Sequence, residues 1–215
     1  MNDCPFCIYN KMTNKVLRNN QKEICTRILW DTKHYYVVPS VGSFVKGYLL
    51  IISKEHQYNM GTYDKLDELN ELIMTCKKTI LTLYNSKSIV FEHGSTQNSE
   101  TSGASICHAH MHVVPTAYDL EREIQKTANL IPLESIFDLT DYSANSYVFY
   151  QNTYSENYMV DIQNPPSQYL RQILAKKLGL SEFWNWRRYP FYDNIVKCIN
   201  DYRDNYTEKS DKICL

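Results

Sequence analysis

Apolar positions along the chain recur with two periods, and the switch between them marks the elements. Residues 26–30 (Thr-Arg-Ile-Leu-Trp) and 34–39 (His-Tyr-Tyr-Val-Val-Pro) are short runs rich in β-branched and aromatic side chains, separated by Asp31-Thr32-Lys33. They read as two strands joined by a turn. Val41 to Lys46 reads as a loop, and Gly47-Tyr48-Leu49-Leu50-Ile51-Ile52 as a strand apolar enough for the centre of a sheet. The period then changes. Leu66, Leu69, Leu72, Ile73, Cys76, Ile80, Leu81 and Leu83 recur at helical spacing. Thr62 is the expected N-cap, and Asp64, Asp67 and Glu68 place negative charge in the first turns, where the helix dipole favours it. Ser88 to Gly94 is the next strand. A polar loop from Ser95 to Ser102 leads through Gly103-Ala104-Ser105 into an extended stretch from Cys107 to Pro115. Strand, strand, strand, long helix, strand, loop, strand is an α+β order: a mainly antiparallel sheet with the long helix on one face.

Beyond Tyr118 the elements are shorter. Leu120 to Ala128 reads as a short helix and Leu133 to Phe137 as a turn. Tyr147-Val148-Phe149-Tyr150 and Tyr158-Met159-Val160-Asp161 form a hairpin pattern. Pro165-Pro166 introduces a helix, Ser167 to Leu178, which Gly179 ends, and a last helix runs through Ile195, Ile199 and Tyr202.

The stretch with the most chemistry is Cys107-His108-Ala109-His110-Met111-His112-Val113-Val114-Pro115. In a strand, alternate side chains share a face, so the three histidines point one way and Ala109, Met111 and Val113 the other. Neighbouring histidines then lie about 6.6 Å apart and the outer pair about 13 Å. One metal ion can take two of them but hardly three, so at least one imidazole is left for other work. Two His-x-His ligands would suit a metallohydrolase, and a non-catalytic cluster is the third reading. Cys4-Pro5-Phe6-Cys7 has the spacing of half a zinc site and of a redox dithiol. The redox motif needs a preceding strand, and only three residues precede Cys4. Idle thiols or a zinc site that recruits two more ligands remain. His34 reads as a surface or partner-facing residue.

Bulk properties narrow the class. A chain of 215 residues can bury a full core as one elaborated domain, or as one domain with an extension. A formal charge of −1 argues against general nucleic-acid or membrane-surface binding. No apolar run approaches the roughly 18 residues that span a bilayer. The start lacks a basic and apolar leader pattern, so the expected location is cytoplasmic and the seven cysteines are expected reduced.

The full His-x-His-x-His-Val-Val-Pro run resembles the signature of the histidine triad (HIT) superfamily of nucleotidyl hydrolases and transferases, and the element order over residues 4–116 is similar to the HIT fold. The resemblance implies a HIT domain over residues 1–117 and a C-terminal extension over 118–215, made of short helices, a hairpin and two longer helices. It implies that His110 is the nucleophile and that His112 hydrogen-bonds the phosphate or leaving oxygen. It implies phosphate contacts from Gly103 and Ser105. Where many members have Gln, Asp and Asn, this chain has Ala104, Ser40 and Glu92-His93, which makes Ser40 and His93 the candidate substrate contacts. In zinc-carrying members, positions matching Cys4, Cys7, His56 and His108 hold a structural zinc. The implied activity is hydrolysis at the α-phosphorus of nucleoside polyphosphates, such as diadenosine polyphosphates, or of phosphoramidates, through a nucleotidyl-histidine intermediate. A transferase or phosphorylase sharing that intermediate, and a nucleotide sensor with little turnover, are the alternatives. The expected partners are a nucleotide and a second copy of the chain, as in short HIT homodimers. The Pro-Pro-Ser-Gln-Tyr-Leu-Arg and Trp-Asn-Trp-Arg stretches look like extensions of larger HIT-like hydrolases. There Tyr169, Arg171, Trp186 and Arg187 suit either phosphate and base contacts or core packing.

Overall fold

A computed structural model describes residues 4–7, 28–97 and 106–206. Within them the apolar runs pair into strands β1 (Trp30–Asp31), β2 (Tyr35–Pro39), β3 (Leu49–Ser53), β4 (Ser88–Gly94), β5 (His110–Pro115), β6 (Asn129–Leu133), β7 (Tyr147–Gln151) and β8 (Asn157–Asp161). They form one antiparallel sheet in the order β1-β2-β3-β5-β4-β7-β8-β6. The architecture is α+β. The sheet runs across residue 117, because β7 pairs directly with β4.

Strand alternation sorts the apolar residues onto two buried faces. Tyr35, Val37, Leu49, Ile51, Met111 and Val113 pack with helices α1 (Leu66–Tyr84) and α5 (Tyr192–Tyr206). Tyr36, Val38, Leu50, Ile52, Phe91 and Val114 pack on the other face with Phe6 and with Leu170 and Leu174 of α4 (Tyr169–Lys177). Cover on both sides explains why β3 reads as an almost unbroken apolar run. Each fully buried aliphatic side chain contributes roughly 1.5–3 kcal/mol of transfer free energy. Two short helices, α2 (Glu121–Ile124) and α3 (Leu139–Tyr142), lie between α1 and α4 in the chain. None of the helices among the described residues is long and apolar enough to cross a membrane.

Three local features differ from the periodicity reading. Thr62 does not cap α1. It ends a 3-10 turn, Met60–Thr62, capped by Asn59, whose side-chain oxygen accepts from the Thr62 N–H at 2.9 Å. Asn59 also donates to the Ser95 and Ser143 carbonyls, so the turn is tied down and α1 starts four residues beyond it, at Leu66. The helix expected over Leu120–Ala128 is only the single turn α2, and residues 129–133 form strand β6. Pro132 hides that strand in the sequence. It is tolerated because β6 is an edge strand that pairs with β8 alone. His34 faces its own chain, with Nδ1 2.6 Å from the Glu68 carboxylate on α1.

Candidate active site and metal site

Register brings the triad to the α4 face of the sheet. Ile52 pairs with His110, Leu50 with His112 across β3, and Phe91 with His112 across β4. The His112 ring stacks on Phe91 with centroids 4.5 Å apart, and Phe6 meets the His110 ring edge-on at 5.2 Å. Burial lowers both histidines below their ordinary value, His112 strongly, so both rings are neutral at pH 7.

A neutral imidazole has one N–H and one lone pair, and the partners decide which is which. His110 Nδ1 lies 2.6 Å from the backbone carbonyl of His108, a bond that only a protonated Nδ1 can make. Its Nε2 therefore carries the lone pair. His112 Nδ1 lies 2.8 Å from the Tyr48 hydroxyl. Burial raises the Tyr48 pKa, so the phenol keeps its proton, and the Arg171 charge and hydrogen bond act on the phenol oxygen. That oxygen donates its proton to His112 Nδ1, and His112 carries its own hydrogen on Nε2. Two adjacent rings, 5.0 Å apart, thus present a lone pair and a donor side by side.

Both rings line a cleft of about 870 Å³, counting the space open to solvent. Its floor is apolar, with Phe6, Tyr36 and Leu50 among the contributors. Ser40 lines it, buried, with its hydroxyl donating to the Val41 carbonyl at 3.1 Å. His93 lines it too, and its Nε2 accepts from the Leu170 N–H at 3.4 Å. Burial first, then the charges of His110 and Arg171, hold His93 down to about 3. Gly103 and Ser105 lie outside the described residues; Ile106, next to them in sequence, is in the cleft wall. From the second half, Gln168, Arg171 and Trp186 reach the cleft. Tyr169 instead bonds Thr127 at 2.6 Å, and Arg187 is exposed against the Trp186 ring. Tyr48 and Gln168 carried no sequence signal of a role. Tyr48 sits inside an apolar strand pattern, and Gln168 owes its position to a left-handed backbone (φ 59°) just before α4.

A second cluster lies at the edge of the site. One ligand atom each from Cys4, Cys7, His56 and His108 falls within 4.8 Å of the others, an arrangement that could hold a metal ion. Cys4 Sγ is 3.4 Å and Cys7 Sγ 3.6 Å from His108 Nδ1, and Cys7 Sγ is 3.2 Å from His56 Nδ1. His108 Nε2 donates to the Ser53 carbonyl at 2.8 Å, which turns its Nδ1 lone pair to the sulfurs. Burial, opposed by that bond, pushes His108 down to about 4. The donors come from the N-terminal segment, from the chain after β3 and from the residue just before Ala109 and β5. An ion here would join three separate stretches of chain.

The sequence model of the HIT domain matches residues 21–119. The chain carries a HIT domain. The match takes in the triad and His56, while Cys4 and Cys7 precede it. No curated protein matches the chain. Among solved structures, the HIT-domain chain is similar to a hypothetical histidine triad nucleotide-binding protein from Sulfolobus tokodaii, at 19% identity and a TM-score of 0.40 over 53% of this chain and 71% of that one. It is also similar to a HIT family hydrolase from Clostridium thermocellum (16% identity, TM-score 0.36, 54% and 93% covered). A DUF4931 family protein from Bacillus cereus is matched at 15% identity and a TM-score of 0.41, over 74% of this chain and 100% of that one.

Proposed function

We propose that this chain is a nucleotidyl hydrolase that forms a covalent intermediate on His110. The observation that carries the reading is the pair of Nδ1 contacts, His110 with the His108 carbonyl and His112 with the Tyr48 hydroxyl, from which we infer a lone pair on His110 Nε2 beside an N–H on His112 Nε2 in one cleft wall. His110 Nε2 attacks the α-phosphorus of a nucleotide, and the bond from phosphorus to the leaving group breaks. His112 donates its hydrogen bond to the phosphoryl or leaving oxygen, where charge develops. Water then attacks the same phosphorus, the phosphorus–nitrogen bond breaks, and a nucleoside monophosphate leaves. The apolar floor suits a base, and Ser40, His93 and the outlying Gly103 and Ser105 are the further substrate contacts we assign.

We assign zinc to the Cys4, Cys7, His56 and His108 cluster. A tetrahedral zinc with bonds of about 2.3 Å to sulfur and 2.0 Å to nitrogen has sulfur–nitrogen edges of about 3.5 Å, and the three such distances here run from 3.2 to 3.6 Å. Four protein ligands leave no open position, so the metal's part is structural. It would pin the N-terminal segment, and with it Phe6, against the strand that carries His110.

The test is incubation of wild type and His110→Ala with a diadenosine polyphosphate and with an adenosine phosphoramidate, following AMP release and protein mass. AMP release that is lost in the variant, with a nucleotidyl adduct on wild type, is the expected result. Turnover that survives in His110→Ala refutes the nucleophile. A parallel reaction with inorganic phosphate separates hydrolysis, which yields AMP, from phosphorolysis, which yields ADP.

A further inference from the structure

Three features of the second half of the chain meet at the cleft, and the triad chemistry draws on them only through the Arg171 hydrogen bond to Tyr48. The first is Arg171, only 2% exposed and lining the cleft. Among the described residues no carboxylate pairs with it. Its Nε donates to the Trp184 carbonyl at 3.0 Å and its Nη2 to the Gly42 carbonyl at 2.6 Å, while the Phe44 and Tyr48 rings lie 5.0 and 5.2 Å away. Carbonyls, rings and a hydrogen bond to the Tyr48 oxygen hold the guanidinium in place without neutralising it, and among the described residues its five N–H donors are not all taken up. A buried cation without a counter-charge is costly unless a ligand supplies one.

The second feature is Gln168, 5% exposed, in the cleft wall, with its buried side-chain oxygen lacking a hydrogen-bond partner among the described residues. A half-turn of the amide presents either its oxygen or its NH2 to the same place, so it can serve a hydroxyl or a phosphate oxygen. Third, α4 starts just after Gln168 and has no side-chain cap. Its first-turn N–H groups have no partner within the helix, and the positive end of its dipole faces the same side as His93, which takes the Leu170 N–H.

We propose that Gln168, Arg171 and the first turn of α4 form an anion subsite that receives the phosphate chain of the leaving group. The inference rests on the hydrolase reading and narrows its substrate class to nucleoside or dinucleoside polyphosphates over phosphoramidates. Tyr48 stands between His112 and Arg171, with its hydroxyl 2.8 Å from His112 Nδ1 and its ring 5.2 Å from the guanidinium, so the cation lies in the same cleft wall as the triad. As the bond from the α-phosphorus to the bridging oxygen breaks, that oxygen takes the electron pair, and the departing phosphate gains negative charge beside a fixed cation. A departing amine gains a proton instead and meets repulsion.

The test reads binding, so that it does not depend on turnover. In a His110→Ala chain, affinities for AMP and ATP are measured by calorimetry, then repeated with Arg171→Gln or Gln168→Leu added. Charge-assisted hydrogen bonds to the extra phosphates predict ATP binding tighter than AMP by about ten- to a hundredfold. Each added substitution should shrink that ratio towards one while AMP affinity stays within about threefold. A merely structural Arg171 would weaken AMP and ATP alike, and that result overturns the proposal, as does a ratio unchanged in both variants. Gln168→Leu removes no packing partner of Gly42 or Trp184, so it decides the matter if Arg171→Gln does not fold. A wild type that releases no AMP yet shows the large ATP-to-AMP ratio sinks the hydrolase reading and leaves the subsite standing.

Discussion

Glu92 offers a quantitative test of how the sheet is held beneath the site. It lies on β4 one residue before His93, buried on the face opposite the cleft, with Oε1 accepting from the Met60 N–H at 2.9 Å and Oε2 from the Tyr147 hydroxyl at 2.6 Å. Burial outweighs these two donors and raises its pKa from 4.5 to about 8, so the side chain is neutral at pH 7. An acid whose folded value is raised binds its proton more tightly when folded. Between 4.5 and about 8 the folded state holds a proton that the unfolded state has lost, so stability falls as pH rises through that window and is flat above it. At about 1.4 kcal/mol per pH unit, the whole window amounts to something on the order of 5 kcal/mol. Glu92→Gln keeps the shape and an acceptor for Met60 but does not titrate. The stability of the variant minus that of wild type should therefore climb with pH, by about 1.4 kcal/mol per unit from pH 5 to pH 8. Taking the difference cancels the histidines, which titrate in both proteins. Urea unfolding followed by tryptophan fluorescence at several pH values, in one metal-containing buffer, measures it. A difference independent of pH would show that Glu92 is ionised when folded, with its two donors outweighing burial, and would refute the reasoning.

Two further perturbations probe the site itself. Tyr48→Phe removes the hydroxyl at His112 Nδ1 and keeps the ring, so kcat should fall by about ten- to a hundredfold while the melting temperature moves little; unchanged kcat in steady-state assays would remove Tyr48 from the relay. Chelation should lower the unfolding midpoint, with recovery on adding zinc, and Cys7→Ser should lower it in the same way, as thermal melts and metal analysis can follow. Loss of turnover at an unchanged midpoint would place the metal in the chemistry instead.

Much of the fold was legible because it depends on short-range periodicity. The alternation in β2, β3 and β5 and the helical spacing of α1 are local patterns, and the α+β order follows from them. Where the reading differed, a distant partner had intervened. Thr62 ends a separate turn instead of capping α1 because Asn59, which caps that turn, is anchored to Ser95 and Ser143, and β6 forms through Pro132 because an edge strand needs hydrogen bonds on one side only.

The candidate site divides along the same line. The histidine run and the Cys4–Cys7 pair were visible because their imidazoles and thiols repeat at fixed local spacing. The sequence alone determined which side chains could be nucleophile, donor and ligand. Only the tertiary structure supplied the Nδ1 partner of His112, Tyr48, 64 residues away, whereas the His108 carbonyl that meets His110 is two residues away in the same stretch of chain. It also decided between core packing and the cleft for the second half: Gln168, Arg171 and Trp186 reach it, Tyr169 and Arg187 do not. Periodicity reports which face of an element is buried. What that face meets is set by pairings such as Arg171 with Gly42, 129 residues apart, and no local pattern encodes them.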